Sequence, residues 1–433
     1  MNKIWKSSAG FSFFTLISRI FGYLRDLVLT SFLGASSAHD IFVVVFRIPN
    51  VFRSFFGEGA LAQSLVPSII EAKDNLNSFL NQVFTLLFIT LISFVLFAEV
   101  FPGFFISLFA PGFYEDPDKL KTASDFLRLV FPYILLISFT AFFGAVQNSK
   151  KIFQVVAATP IIFNITLILF ALFSKEFNLD ILGISILAAG LIQLGINILV
   201  VFYFNYFPKL VINFDKKVLR SFFNKFIPAF FAAGIYQLNV LVDTVFASFL
   251  ITGSPTWLYL SERLIQFPLG LFGVAVALVA LPNITELFIE KKMDELRLHS
   301  IKLLRVLFLL GLAFVLGAFL FGELAIKILF LRGEFTSFDV GMTFIALQGY
   351  AFSMLFILPQ KFFNSIFFAI SKTNMVVVTG LISLVSNIIL NYYFIYQLDY
   401  GHFGLALATS ISSGIIFLIS FAWLSNQGIF KSI

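Results

Sequence analysis

Apolar runs of about twenty residues recur from one end of this chain to the other, the length a helix needs to cross the hydrocarbon core of a bilayer. Composition says the same: of 433 residues 59% are hydrophobic and only 12% charged, with mean hydropathy +0.98. Soluble domains carry roughly 25% charged residues. A water-soluble fold is excluded, and the chain reads as an all-α polytopic membrane protein.

Several chemistries fall away at once. There is no cysteine, so no disulfide framework, thiolate metal site or cysteine nucleophile. His39, His299 and His402 are scattered, with no metal-ligand spacing, and read as interfacial or loop histidines. No P-loop, G-x-S-x-G, H-E-x-x-H or Gly-rich dinucleotide signature is present, so ATP hydrolysis is not supported. The net charge of +6 and pI of 9.3 are explained by membrane topology, without nucleic acid. The N-terminal MNKIWK imitates a signal peptide, but its apolar run holds Arg19, Arg25 and Asp26 and no A-x-A site. It is read as an uncleaved first membrane helix.

Hydropathy and length place twelve spans near 11–33, 41–66, 80–109, 127–147, 153–173, 180–204, 226–251, 257–282, 303–321, 340–370, 374–396 and 403–424. With the N-terminus inside, seventeen basic residues fall in cytoplasmic segments; only Lys119, Lys121, Lys175, Lys327 and Arg332 fall on the other side. The asymmetry puts both termini in the cytoplasm.

The chain also repeats. Asp26, Val28, Ser31, Phe32 and Leu33 are matched by Asp243, Val245, Ser248, Phe249 and Leu250, all 217 apart. Pro67 and Glu71 match Pro282 and Glu286; Leu108, Phe109 and Gly112 match Leu329, Phe330 and Gly333; Ser149 and Lys150 match Ser371 and Lys372. Two six-span lobes result, 1–204 and 226–433, joined by a lysine-rich cytoplasmic linker at 205–225. An even number of spans per lobe makes the repeats parallel, with the natural binding site between them.

Ionisable residues inside the spans mark that site. Arg19, Arg25, Arg47, Arg53, Arg263 and Lys361 lie within apolar runs, as do Asp26, Asp40, Glu58, Asp243 and Glu262. Five arginines facing lipid would cost about 12–18 kcal/mol on the insertion scale, so they must face water or partners. Structural ion pairs would account for Asp26, Asp40 and Glu262. The four arginines of the first two spans exceed the acids there, however, and imply an anion. A planar guanidinium suits a phosphate or pyrophosphate.

Arg19 and Arg25, and Arg47 and Arg53, are each six residues apart, about 240° around a regular helix, so neither pair shares a face without a break. Gly22 and Pro49 lie inside those intervals and are expected to supply breaks. Asp40 and Arg47, seven apart, share a face and are expected to pair or gate. The stretch Gly57 to Ala60 adds backbone freedom and Glu58. The 63 phenylalanines are read as lipid-facing or helix-packing residues.

The motifs SRIFGYLRD (18–26), FRIPNVFRSFFGEGA (46–60), APGF (110–113), FPYILLIS (131–138) and FASFL with YLSERLIQFP (246–268) closely resemble the MurJ/MviN family of lipid II flippases along the entire chain. The resemblance implies a multidrug/oligosaccharidyl-lipid/polysaccharide exporter fold, with two six-helix repeats around a central cationic cavity. It implies lipid II, an undecaprenyl-pyrophosphate-linked precursor of peptidoglycan, as substrate in the bacterial inner membrane. Arg19, Arg25, Arg53 and Arg263 fall on the family's substrate-binding positions, and Asp40, Arg47, Glu58 and Glu262 on its cavity and gating positions. Family members have a sodium site in the second lobe, for which Asp243, Asn387, Asn391 and Thr409 are candidate ligands here, with helix-to-helix hydrogen bonding as the alternative. No organic cofactor is expected; coupling to sodium or to the membrane potential is. Two departures stand out: Gln266 occupies a position acidic in many members, and many members have two further C-terminal spans.

Other readings are an exporter of another polyprenyl-pyrophosphate-linked saccharide or of drugs, a membrane glycosyltransferase, or a scaffold for cell-wall synthesis or division proteins. Cationic drugs would favour an acidic cavity, a glycosyltransferase would need larger extracytoplasmic loops, and a scaffold would not require buried arginines.

Overall fold

The computed structural model describes residues 2–56, 59–72, 75–204, 206–270 and 274–430, and among them there is no strand. The chain divides into two compact units, Met1–Gln237 and Leu238–Ile433. The first contains α1 (Asn2–Leu33), α2 (Ser37–Val45), α3 (Arg47–Phe56), α4 (Ala60–Glu71), α5 (Leu76–Val100), α6 (Pro102–Phe109), α7 (Pro117–Val130), α8 (Tyr133–Ser149), α9 (Gln154–Phe173) and α10 (Leu179–Tyr203). The division falls inside α11 (Lys216–Ser248). The second unit continues with α12 (Ser254–Pro268), α13 (Val274–Ile289), α14 (Met293–Phe330), α15 (Ser337–Ala351), α16 (Met354–Ala369), α17 (Thr373–Tyr392) and α18 (Gly401–Asn426).

Among the described residues, seven helical stretches are long and apolar enough to cross a membrane: α5, α7 with α8, α9, α10, α14, α17 with its following turn, and α18. The pair α15 and α16, bent by 44°, makes an eighth. The other expected spans fall on α1, on α2 to α4, on α11, and on α12 with α13.

The internal repeat is visible in the helix boundaries. In the first unit α7 starts at Pro117, stops at Val130, and resumes as α8 from Tyr133 to Ser149. In the second, α15 runs from Ser337 to Ala351 and α16 from Met354 to Ala369, an offset of 220 to 221 at every boundary. Each pair opens on a side-chain cap. Asp116 accepts from the Asp118 and Lys119 N–H groups, while Thr336 and Asp339 form a reciprocal capping box. Each closes in a sharp reversal, with Lys151 at φ 65° and Ser371 at φ 58°.

Small residues let the helices approach, as membrane helix packing demands. A Cβ at Gly190 of α10 would come within 2.8 Å of Tyr133 and Leu136 on α8, and one at Gly311 of α14 within 2.8 Å of the Met354 carbonyl oxygen. Phenylalanine fills the gaps: the Phe52 ring meets Phe94 at 4.5 Å, Phe105 at 6.2 Å and Phe131 at 6.4 Å.

Neither expected break falls inside its interval: Arg47 and Arg53 both lie on the continuous α3, and the interruption comes before Arg47. The second span is interrupted at Phe46, between α2 and α3. Pro49 in the first turn of α3 has no N–H for the Val45 carbonyl, so the ladder is interrupted there. The Asn50 amide donates instead to the Phe46 carbonyl at 2.9 Å. The first span differs from expectation: α1 runs unbroken through Gly22. A Cβ at Gly22 would lie 3.6 Å from the Asn164 amide nitrogen on α9, an ordinary contact, so the packing there does not demand glycine. Glycine inside a helix costs only about 1 kcal/mol, too little by itself to break α1.

Candidate functional site

Arg25 sits at the centre of a buried polar cluster in the first unit. Its Nε and Nη2 donate to Asp26 Oδ1 at 3.0 and 2.5 Å, and its Nη1 donates to Asn164 Oδ1 at 3.1 Å. Asn164 in turn donates to the Ser18 carbonyl at 3.3 Å, which fixes α9 against α1. The guanidinium carbon lies 5.9 Å from the centre of the Phe163 ring. Arg25, Asp26 and Asn164 are all buried. Burial of such a charge requires a partner and hydrogen bonds, and Asp26 supplies both. Because α1 is continuous, Arg19 emerges on a different face and is exposed.

Arg47 and Arg53 are half-buried on α3. Asp40, on α2, is fully buried; Lys119 Nζ of α7 stands 3.9 Å from its Oδ2 and 4.5 Å from the centre of the Phe113 ring. The interruption at Phe46 puts Asp40 and Arg47 on separate helices, so the continuous helical face expected for them is broken. Glu58 lies outside the described residues.

In the second unit Arg263 donates from Nη2 to the Tyr259 hydroxyl at 2.9 Å, with its guanidinium carbon 5.0 Å from the centre of that ring. The four-residue spacing on α12 stacks the two side chains on one face. Glu262 accepts from Gln266 Nε2 at 2.7 Å. The amide that replaces an acidic residue here therefore binds the neighbouring carboxylate instead of repelling it.

Asp243, Asn387 and Asn391 come together. Asn391 Nδ2 donates to Asp243 Oδ1 and to Asn387 Oδ1, each at 3.0 Å, and both asparagines are buried. Thr409 is engaged on its own helix: its hydroxyl donates to the Leu405 carbonyl at 3.2 Å and its carbonyl accepts from Ser413 at 2.7 Å. This group is the second-unit counterpart of Arg25, Asp26 and Asn164, with an amide where the first unit has a guanidinium.

Four contributors are missed by the sequence analysis. Asn164 is a lone amide in an apolar span, which is a signal by itself. Lys119 reads as a loop charge. Trp257 and Asp339, whose indole Nε1 and carboxylate meet at 3.0 Å, carry no motif. Their contact occupies the repeat position of Asp40 and Lys119.

The model of the family described as lipid II flippase MurJ matches residues 29–432. The chain belongs to this family. The probable lipid II flippase MurJ of Vibrio cholerae is 32% identical, over 99% of this chain and 84% of that protein. The lipid II flippase MurJ of Burkholderia cenocepacia is 28% identical, over 96% of this chain and 83% of that one. A solved lipid II flippase MurJ in an inward closed conformation superimposes with TM-score 0.83 at 28% identity, covering 96% of this chain and 87% of the other. An inward-facing MATE-family multidrug transporter of the MOP superfamily gives TM-score 0.76 at 12% identity, covering 95% and 94% of the two chains, and shares the fold. The MurJ family is one of transporters, so this chain is a multi-pass transporter of the bacterial inner membrane and not an enzyme.

Proposed function

We propose that this chain flips lipid II from the cytoplasmic to the outer leaflet by alternating access. The match of the lipid II flippase family model over residues 29–432 carries the reading. Arg19, Arg25, Arg53 and Arg263 are assigned to the pyrophosphate, because forked, permanently charged donors fit its oxygens. Asp40, Arg47, Glu58 and Glu262 are assigned to the cavity wall and its gating. The undecaprenyl tail stays in lipid while the charged head crosses in a polar environment, which avoids the cost of exposing it to hydrocarbon. Purified protein in vesicles with labelled lipid II should raise the fraction of label reached by an impermeant reagent on the far side. Transfer no faster than in protein-free vesicles would defeat the proposal. Preferential transfer of a different polyprenyl-pyrophosphate saccharide would redirect it.

The coupling ion is assigned to Asp243. A carboxylate oxygen beside two amide oxygens is a hard-oxygen donor set suited to sodium, and Asp243, Asn387 and Asn391 share one hydrogen-bonded group. In Asp243→Asn, lipid II binding should survive while any sodium dependence of flipping disappears. Unchanged sodium dependence returns Asp243 to a packing role.

A further inference from the structure

The segment between α10 and α11 is an extended strap fastened to α5. Lys209 N–H donates to Asn81 Oδ1 at 2.7 Å, Val211 N–H to Thr85 Oγ1 at 3.1 Å, and Asp215 N–H to Gln82 Oε1 at 2.7 Å. These acceptors, at spacings of one, three and four along α5, form one polar face near its N-terminal end. Phe207 stacks on Phe143 at 5.9 Å and 18°, and Lys150 donates to the Tyr206 hydroxyl at 2.8 Å. Apolar residues stand open at every second position of the strap: Leu210 is 59% exposed, Ile212 94% and Phe214 39%, the period that puts side chains of an extended backbone on one side. Around it Lys209, Lys216 and Arg220 are exposed.

Depth on α5 decides what covers this edge. The helix has 25 residues, about 37 Å, against a hydrocarbon core of about 30 Å. Its polar residues Asn77, Ser78, Asn81 and Gln82 cluster at the N-terminal end, and an apolar run begins at Val83. The strap therefore lies where acyl chains give way to headgroups. Irregular backbone at that depth needs partners for its N–H groups, and the three α5 side chains supply them for Lys209, Val211 and Asp215. The exposed edge continues the exposed apolar end of α10, where Leu199, Phe202 and Tyr203 are 70%, 67% and 83% exposed. Apolar residues flanked by lysine and arginine at such a border match anionic headgroups above acyl chains.

We infer that residues 207–216 form an interfacial anchor that inserts Leu210, Ile212 and Phe214 into the leaflet and holds anionic lipid headgroups with Lys209, Lys216 and Arg220. The chain has no cysteine, so Ile212→Cys gives a single labelling site for an environment-sensitive fluorophore. The labelled full-length protein is placed in phosphatidylcholine vesicles with or without phosphatidylglycerol, each with lipid brominated at shallow or deep acyl positions. Shallow bromines should quench the probe in Ile212→Cys at least twofold more than a probe in Asn213→Cys, and more strongly with phosphatidylglycerol present. Gln82→Ala, which removes one rung, should lessen the quenching in the Ile212→Cys background. No quenching, together with full reaction of the introduced thiol towards water-soluble reagents, overturns the proposal and makes the edge a surface for a soluble partner. Equal quenching in the two vesicle types overturns the anionic assignment.

Discussion

Arg25 is held by Asp26 and Asn164 and also assigned to a substrate, and the two roles respond differently to substitution. Arg25→Ala leaves Asp26 buried without its cation, a change that costs roughly 3–5 kcal/mol in other buried pairs, so the amount of folded protein in membranes should fall. Arg25→Lys keeps the charge but loses the fork; membrane levels should persist while flipping drops at least tenfold. Quantitative immunoblotting beside the vesicle assay separates the two effects, and full flipping by the lysine variant would reduce the role to generic positive potential. Asn164→Leu removes the acceptor for Arg25 Nη1 at 3.1 Å, and should lower the thermal midpoint by the equivalent of about 1–3 kcal/mol. The charged residues were legible because any charge in a membrane run is conspicuous. Their partners were not: Asn164 lies 139 positions from Arg25, and helical spacing orders residues only along one helix.

At the scale of helices, glycines make paired predictions. At Gly311 a Cβ would meet the Met354 carbonyl at 2.8 Å and Leu355 Cα at 3.0 Å, backbone atoms that cannot rotate away; at Gly317, on the same helix, it would meet nothing within 4 Å. Gly311→Ala should therefore cost about 1–3 kcal/mol, whereas Gly317→Ala should leave the thermal midpoint unchanged or raise it through better helix propensity. A second prediction concerns the clasp between α4 and α11. Lys225 and Ser221 bond the Glu71 carboxylate at 2.6 and 2.7 Å and hold its pKa below the ordinary 4.5. A lowered carboxylate pKa strengthens the folded clasp above 4.5, and that contribution is lost as pH falls through the lowered value. Hydrogen exchange around residues 219–225 should thus stay slow from neutral pH to about 5 and accelerate in stronger acid, after correction for intrinsic rates; Glu71→Gln should abolish the transition. Helix positions were readable from hydropathy because length alone sets a span. The location of breaks was not, since Gly22 and Pro49 look alike as helix breakers in sequence, yet α1 runs on through Gly22 and the second span is interrupted at Phe46, three residues ahead of the proline.

For the whole molecule, charge asymmetry predicts sidedness: in single-cysteine variants, Lys292→Cys should label from the cytoplasm and Asp116→Cys from outside. Labelling of both from one side would refute the orientation. The repeat was legible as an ordered series of identities, but not what each half had done with it. An offset series of this kind is what duplication of a six-span ancestor leaves behind. At one matched joint the first half sets the Asp40 carboxylate on the earlier helix against the Lys119 cation on the later one. The second sets the Trp257 indole on the earlier helix against the Asp339 carboxylate on the later. The acid stands on the earlier helix in one half and on the later helix in the other. Replacing Lys119 by the aspartate of the other copy would confront two buried carboxylates, and replacing Asp40 by its tryptophan would leave a donor facing an ammonium. Neither residue can be swapped for its counterpart without the other, so at this joint the halves can no longer trade parts.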